Sequence, residues 1–259
     1  MKRQIKRIAL LIIVILGTNY VKAQTDFSIH LGGALPLGSY AESKDTPNSL
    51  QDGDYVIAWN TKTNKAGAAL GLNLGAKLRF NLQTIKGLGV IATTDFFFNP
   101  SNKEARDCFE DYWMILMENF NVKNYDISIP KYINIPIMLG LNYGCNIKDN
   151  VKIWGEGGVG LNIDIITDLT MEASEYDYEF LAEINYDNQY TLGFQLGAGV
   201  LLSEQLSIGL HYYNLGSQRI EGIMKYTSTS DYGAEGDRAR GALDRINPNM
   251  LTLRLGYHF

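Results

Sequence analysis

Cysteine, histidine and proline are all scarce in this chain of 259 residues, with two, three and six copies. The three histidines and two cysteines do not cluster at metal-ligand spacing, so neither a metal nor a cofactor is expected. No Gly-x-Ser-x-Gly and no phosphate-binding loop is present, and no residue is assigned a catalytic role. Gly155-Glu-Gly-Gly-Val-Gly160 is read as a glycine-rich strand, where small residues relieve crowding. Beyond residue 23, no apolar run approaches the roughly 20 residues of a membrane-spanning helix. An excess of positive charge is missing too. Five of the 23 Lys and Arg residues lie in the first 23 positions, which hold no acid. The remainder has 18 bases against 28 acids, a net charge of −10. Nucleic acid is therefore not an expected partner.

The first residues form a separate segment. Lys2, Arg3, Lys6 and Arg7 precede a short apolar run from Ile8 to Gly17, and Val21-Lys22-Ala23 offers small residues where a signal peptidase reads. We expect residues 1–23 to be a cleaved secretory signal, with the cut between Ala23 and Gln24. Residues 24–259 would then form one barrel domain. No Cys follows the cut, which speaks against a lipoprotein.

Glycine (26 residues) and tyrosine (16) are plentiful, and the repeated pattern is alternation at period two. In Tyr190–Leu202, one face is Tyr190, Leu192, Phe194, Leu196, Ala198, Val200 and Leu202, and the other is Thr191, Gln195 and glycines. Similar alternation covers 27–37, 70–80, 88–98, 133–143, 151–165, 206–212 and 251–259. Eight such segments are near the roughly 9–11 residues of a tilted membrane strand. Connections at 81–87, 144–150 and 203–205 are short, whereas 36–65, 99–126, 167–188 and 218–248 are long. Short periplasmic turns and long outer loops produce that alternation. Cys108 and Cys145 then fall on opposite sides of the membrane and are not expected to pair.

The expected fold is all-β: an eight-stranded antiparallel up-and-down transmembrane β-barrel. The apolar face is nearly free of charge, which directs it toward lipid. A soluble barrel would turn that face inward. Phe80, Tyr143, Tyr257 and Phe259 near one rim, with Phe96, Phe98, Tyr190 and Tyr212 near the other, suit interfacial girdles. The polar face should fill the lumen with a network of His30, Lys77, Arg79, Asp95, Lys152, Glu156, Asp164, His211 and Arg254, together with His258. Those residues could instead serve as a proton path, a small-ligand site or a hydrolase.

The signal ending Lys22-Ala23-Gln24, the opening strand Phe27–Gly33, the segment Ile129–Leu139 and the closing Leu251–Phe259 together resemble the eight-stranded outer-membrane barrels common in Bacteroidota, the broad family that includes the PorT-like proteins. The likeness is one of pattern across residues 24–259. It implies location in the bacterial outer membrane, contact with outer-membrane lipid and lipopolysaccharide, and a terminal strand read by the barrel-assembly machinery through Leu255, Tyr257 and Phe259. The expected role is non-enzymatic, with long outer loops for binding, adhesion or envelope integrity. Two alternatives stay open: an accessory component of a protein secretion or gliding apparatus, implied by the resemblance alone, and an outer-membrane enzyme acting on lipid or peptide.

The outer loops carry three further candidates. Tyr112–Met117 is apolar, and Trp113, Ile115 and Leu116 could contact a protein partner or cap the barrel mouth. Loop 167–188 holds seven acids and no base, read either as a cation site or as strands continuing above the membrane. Asp237, Arg238, Arg240, Asp244 and Arg245 are read as solvated ion pairs.

Overall fold

The computed structural model describes residues 25–43, 66–82, 84–107, 110, 124–175, 178–228 and 235–259. Thirteen strands are formed among them: β1 (Thr25–Leu37), β2 (Gly71–Asn81), β3 (Leu88–Asn99), β4 (Tyr125–Ser128), β5 (Tyr132–Lys148), β6 (Val151–Ile166), β7 (Leu169–Glu175), β8 (Tyr178–Tyr186), β9 (Gln189–Leu202), β10 (Leu206–Asn214), β11 (Gln218–Ser228), β12 (Glu235–Ile246) and β13 (Asn249–His258). Eight of these close into an antiparallel barrel in the order β1-β13-β10-β9-β6-β5-β3-β2. Closure comes from β1, which pairs with β13 through Leu31↔Leu255 and with β2 through Leu31↔Leu74. Every barrel strand thus has a partner on both sides, so no row of backbone N–H and C=O groups is left at an edge.

Period two sends alternate side chains to opposite faces, and here the apolar set points outward. Leu72, Val159, Leu192 and Leu255 are each at least 64% exposed, while Asn73, Asn134, Asn162, Gln195 and Thr252 on the other face are fully buried. In water, such a wall would leave a contiguous apolar surface exposed around the whole barrel, far beyond the patches soluble monomers tolerate. In a bilayer it is the surface that lipid covers.

At one end lie residues 82 and 84–87, the two-residue turn Asp149-Asn150, the three-residue turn Ser203–Gln205 and the strand termini Thr25 and His258. By the short-turn rule this is the periplasmic end. Ser203 and Glu204 both take positive φ (53° and 63°), the tight conformation needed to reverse the chain in so few residues. The segment 144–150, read from sequence as a turn, is mostly strand. β5 continues to Lys148, with a register shift between Asn146 and Lys148. Cys145 lies in this extension, exposed and unpaired. Cys108 falls outside the described residues.

At the outer end, β4, β7, β8, β11 and β12 form a second sheet in the order β12-β11-β8-β7-β4. Strands therefore do continue beyond the barrel in the acidic segment, through the Leu169↔Ile184 and Ala173↔Phe180 pairs. The segment holding Asp237, Arg238, Arg240, Asp244 and Arg245, read from sequence as part of a loop, is strand β12, paired to β11 with two register shifts. Between this sheet and the lumen sits the apolar core: Tyr40, Phe97, Tyr132, Met138, Ile166, Leu169, Ile184, Leu215, Ile246 and Met250, all nearly solvent-free. The structure thus has two apolar regions, a plug at the outer end of the lumen and a lipid-facing wall.

Candidate functional site

The lumen below the plug is polar, and two buried carboxylates organise it. Asp95 on β3 is hydrogen-bonded to His30 Nε2 on β1 (2.6 Å) and paired with Arg254 of β13 (3.0 Å). It also accepts from Asn73 Nδ2 (3.1 Å) and from the Tyr213 hydroxyl (2.8 Å). Glu156 on β6 accepts from Lys77 Nζ (2.9 Å) and Asn142 Nδ2 (3.2 Å), and is hydrogen-bonded to His211 Nε2 (3.0 Å). Each carboxylate therefore has one permanent cation and one histidine. Two negative charges meet two positive ones, as low-dielectric surroundings require. The aromatic rings add to this. Lys77 lies 4.7 Å from the Trp154 ring centroid and Arg254 4.9 Å from that of Tyr213.

Glycines make room for these groups. A Cβ on Gly75 would overlap Asp95 Oδ1 and His30 Nε2, and one on Gly197 would overlap the His211 ring. The void remaining among His30, Lys77, Trp154, Glu156, His211 and Arg254 is about 20 Å³, room for about one water molecule. With the apolar plug above it, the lumen at this level is filled and not an open channel.

Toward the periplasmic mouth the packing loosens into a cavity of about 850 Å³. Its wall holds Arg79, which pairs with Asp26 at 3.5 Å and donates to the Gly87 carbonyl at 3.0 Å. Lys152 also lines it and makes no ion pair among the described residues. His258 Nε2 is hydrogen-bonded to Ser207 Oγ at 3.0 Å. A serine nucleophile needs its histidine held by a third group. Among the described residues, no carboxylate is hydrogen-bonded to His258, so this pair lacks the orienting member.

Asp164 stands apart from the rest of the inward-facing set. It lies at the outer end of β6 opposite Asn134, is 1% exposed, and neither of its oxygens has a hydrogen-bond partner among the described residues. The other nine residues of the expected network divide into the two carboxylate clusters (His30, Asp95, Arg254; Lys77, Glu156, His211) and the mouth (Arg79, Lys152, His258). Sequence reasoning missed Tyr213, the residue that touches both Asp95 and Arg254. Its signal was available: it continues the Ser207, Gly209, His211 face of β10 by one step of two.

The 3-10 turn Gly38–Tyr40 buries Tyr40 beneath the outer sheet, where burial first and the nearby Asp164 carboxylate second push its phenol well above its ordinary range. The hydroxyl accepts from Asn134 Nδ2 at 3.3 Å. No group of three His, Cys, Asp or Glu side chains that could hold a metal occurs among the described residues. Trp113, Ile115 and Leu116 lie outside the described residues, as do Ala23 and Gln24. Leu255, Tyr257 and Phe259 all project from the outer wall of the barrel.

On the outer sheet, a cleft of about 710 Å³ is lined by Tyr125, Asp126, Glu172, Phe180, Leu181 and neighbouring residues. Tyr125 and Leu181 are exposed aromatic and apolar groups beside the acids Asp126 and Glu172.

No family model and no curated protein matches the chain. Among solved structures, Ail, the attachment invasion locus protein of Yersinia pestis, aligns at 14% identity and a TM-score of 0.37, covering 90% of this chain and 98% of Ail. A major outer membrane protein from Thermus thermophilus aligns at 14% identity and 0.44, covering 91% and 99%. The outer membrane protein OprG from Pseudomonas aeruginosa gives 13% and 0.42, covering 92% and 97%. At these scores the overlaps carry no argument. The assignment rests on the closed strand order and the outward apolar wall, which together make the chain an integral β-barrel of a bacterial outer membrane.

Proposed function

We propose that this chain is a non-enzymatic outer-membrane protein that presents its second sheet at the cell surface for binding or adhesion. The observation that supports this is the five-stranded sheet beyond the outer rim, standing over a lumen that is filled. A barrel built for transport would need an open lumen. Here the described strands outside the barrel form a paired sheet whose cleft sets Tyr125, Phe180 and Leu181 beside acids. Aromatic and apolar groups at the centre with polar groups at the rim are what contact surfaces combine. The same reading makes lipid and lipopolysaccharide the partners of the outer wall, and Leu255, Tyr257 and Phe259 the strand read by the assembly machinery. A cleaved signal ending at Ala23 and affiliation with the PorT-like barrels of Bacteroidota belong to this proposal, resting on the residues quoted for them.

The test replaces the β7–β8 hairpin, residues 169–186, by a short Gly-Ser turn. Cells displaying each form are then compared for adhesion to one another and to protein-coated surfaces. Loss of adhesion with an intact, heat-modifiable barrel is expected. Adhesion unchanged by the replacement would contradict the proposal.

A further inference from the structure

Both carboxylate oxygens of Asp164 are buried without a donor among the described residues, unlike those of Asp95 and Glu156, which are each held by a cation and a histidine. An ionised carboxylate so placed is strongly unfavourable unless something neutralises it. Its surroundings are rich in oxygen. Asn134, directly opposite on β5, accepts at Oδ1 from Asn162 Nδ2 (2.9 Å) and from Gln218 Nε2 (3.3 Å). Both amides are fully buried. Their nitrogens are committed to Asn134, and neither carbonyl oxygen has a donor among the described residues. Four buried oxygens of residues that pair with or bond to Asn134 therefore lack a donor among the described residues: two of Asp164, Oδ1 of Asn162 and Oε1 of Gln218. A proton on Asp164 would cancel the charge but supply one donor for four acceptors. A cation takes several oxygen ligands at once.

We propose that this layer binds a hard metal cation, with Asp164 as the charged ligand and the amide oxygens of Asn162 and Gln218 as neutral ones. Carboxylates and Asn or Gln carbonyls are the ligands such cations take, and the absence of nitrogen and sulfur among the four orphan atoms disfavours softer metals. One carboxylate balances one positive charge, so an alkali-metal ion such as Na⁺ fits, whereas a divalent ion would leave a buried charge uncompensated. Asp164 and Asn162 belong to the barrel strand β6, and Gln218 opens β11 of the outer sheet. The ion would therefore tie that sheet to the barrel wall. This inference does not depend on the adhesion reading.

The test is urea unfolding of the detergent-folded protein in NaCl and in choline chloride at equal ionic strength. Na⁺ is expected to raise the midpoint and choline not to. Above the dissociation constant, each tenfold rise in Na⁺ should change the folded-to-unfolded ratio about tenfold. Asp164→Asn should remove the difference between the salts, and Gln218→Ala should weaken it. Equal midpoints in the two salts, or a Na⁺ effect that survives in Asp164→Asn, would overturn the proposal. So would an effect of CaCl₂ with none of NaCl, which would overturn the assignment of charge. Should Asp164→Asn not fold, infrared spectra of the unaltered protein decide: a protonated carboxyl band persisting in NaCl contradicts the site, and its absence alongside a Na⁺-specific midpoint supports it.

Discussion

Arg254 and Lys152 both point inward, yet the structure gives them different weight. Arg254 is buried against Asp95 and Tyr213, whereas Lys152 is half-buried at the mouth and makes no ion pair among the described residues. Removing one partner of a buried pair strands the other, at a cost of about 3–5 kcal/mol. Arg254→Met should therefore lower the stability read from urea unfolding by that amount, and Lys152→Met should change it by less than about 0.5 kcal/mol. Gly75→Ala is expected to cost about 1–3 kcal/mol, because the new methyl meets Asp95 and His30 in a filled layer. Similar midpoints for all three variants would show that the lumen network carries no stability. At this scale, period two made the inward residues legible in the sequence. The pairing within the lumen was not. His30 and Asp95 are 65 positions apart on β1 and β3, which do not pair with one another; both strands flank β2, and the two side chains meet over Gly75, the register partner of each, so their contact depends on the strand register. Asp164 looked like its neighbours in sequence, and only the folded packing shows it without a donor.

Seven of the eight barrel strands were legible nearly to their ends, as 151–165 became Val151–Ile166 and 190–202 became Gln189–Leu202, whereas 133–143 lengthened to Tyr132–Lys148. Each has one face in lipid and one in the lumen, so alternation is strong. The outer strands gave a weaker signal. β12 reads Glu-Gly-Asp-Arg-Ala-Arg-Gly-Ala-Leu-Asp-Arg-Ile, with charges at odd and even positions alike and a shifting register against β11. Backbone pairing holds it, and backbone pairing leaves no hydrophobic pattern. The two kinds of element should respond differently to change. Leu139→Arg places a charge on the lipid face opposite Val159 near mid-strand, which should cost about 2–4 kcal/mol in lipid. Exchanging the β7–β8 hairpin should leave the barrel folded. A hairpin exchange that abolished folding would mean that the outer sheet and the barrel form one cooperative unit.

The whole molecule is an eight-stranded wall closed on itself, packed with charge pairs inside, sealed at the outer end by apolar residues and carrying a sheet above. Such a barrel should not conduct as a pore. In a planar bilayer, openings of nanosiemens size would contradict the filled lumen. The central claim is that closure turns the apolar face outward. The most direct measurement is gel mobility of the detergent-folded protein, residues 24–259, with and without boiling. A compact, faster-running band that converts on heating to the fully unfolded position is the predicted result, because a closed barrel resists detergent until its strands part. A single band at one position before and after boiling, from protein that stays dissolved in plain buffer, would contradict it and place the apolar face on the inside.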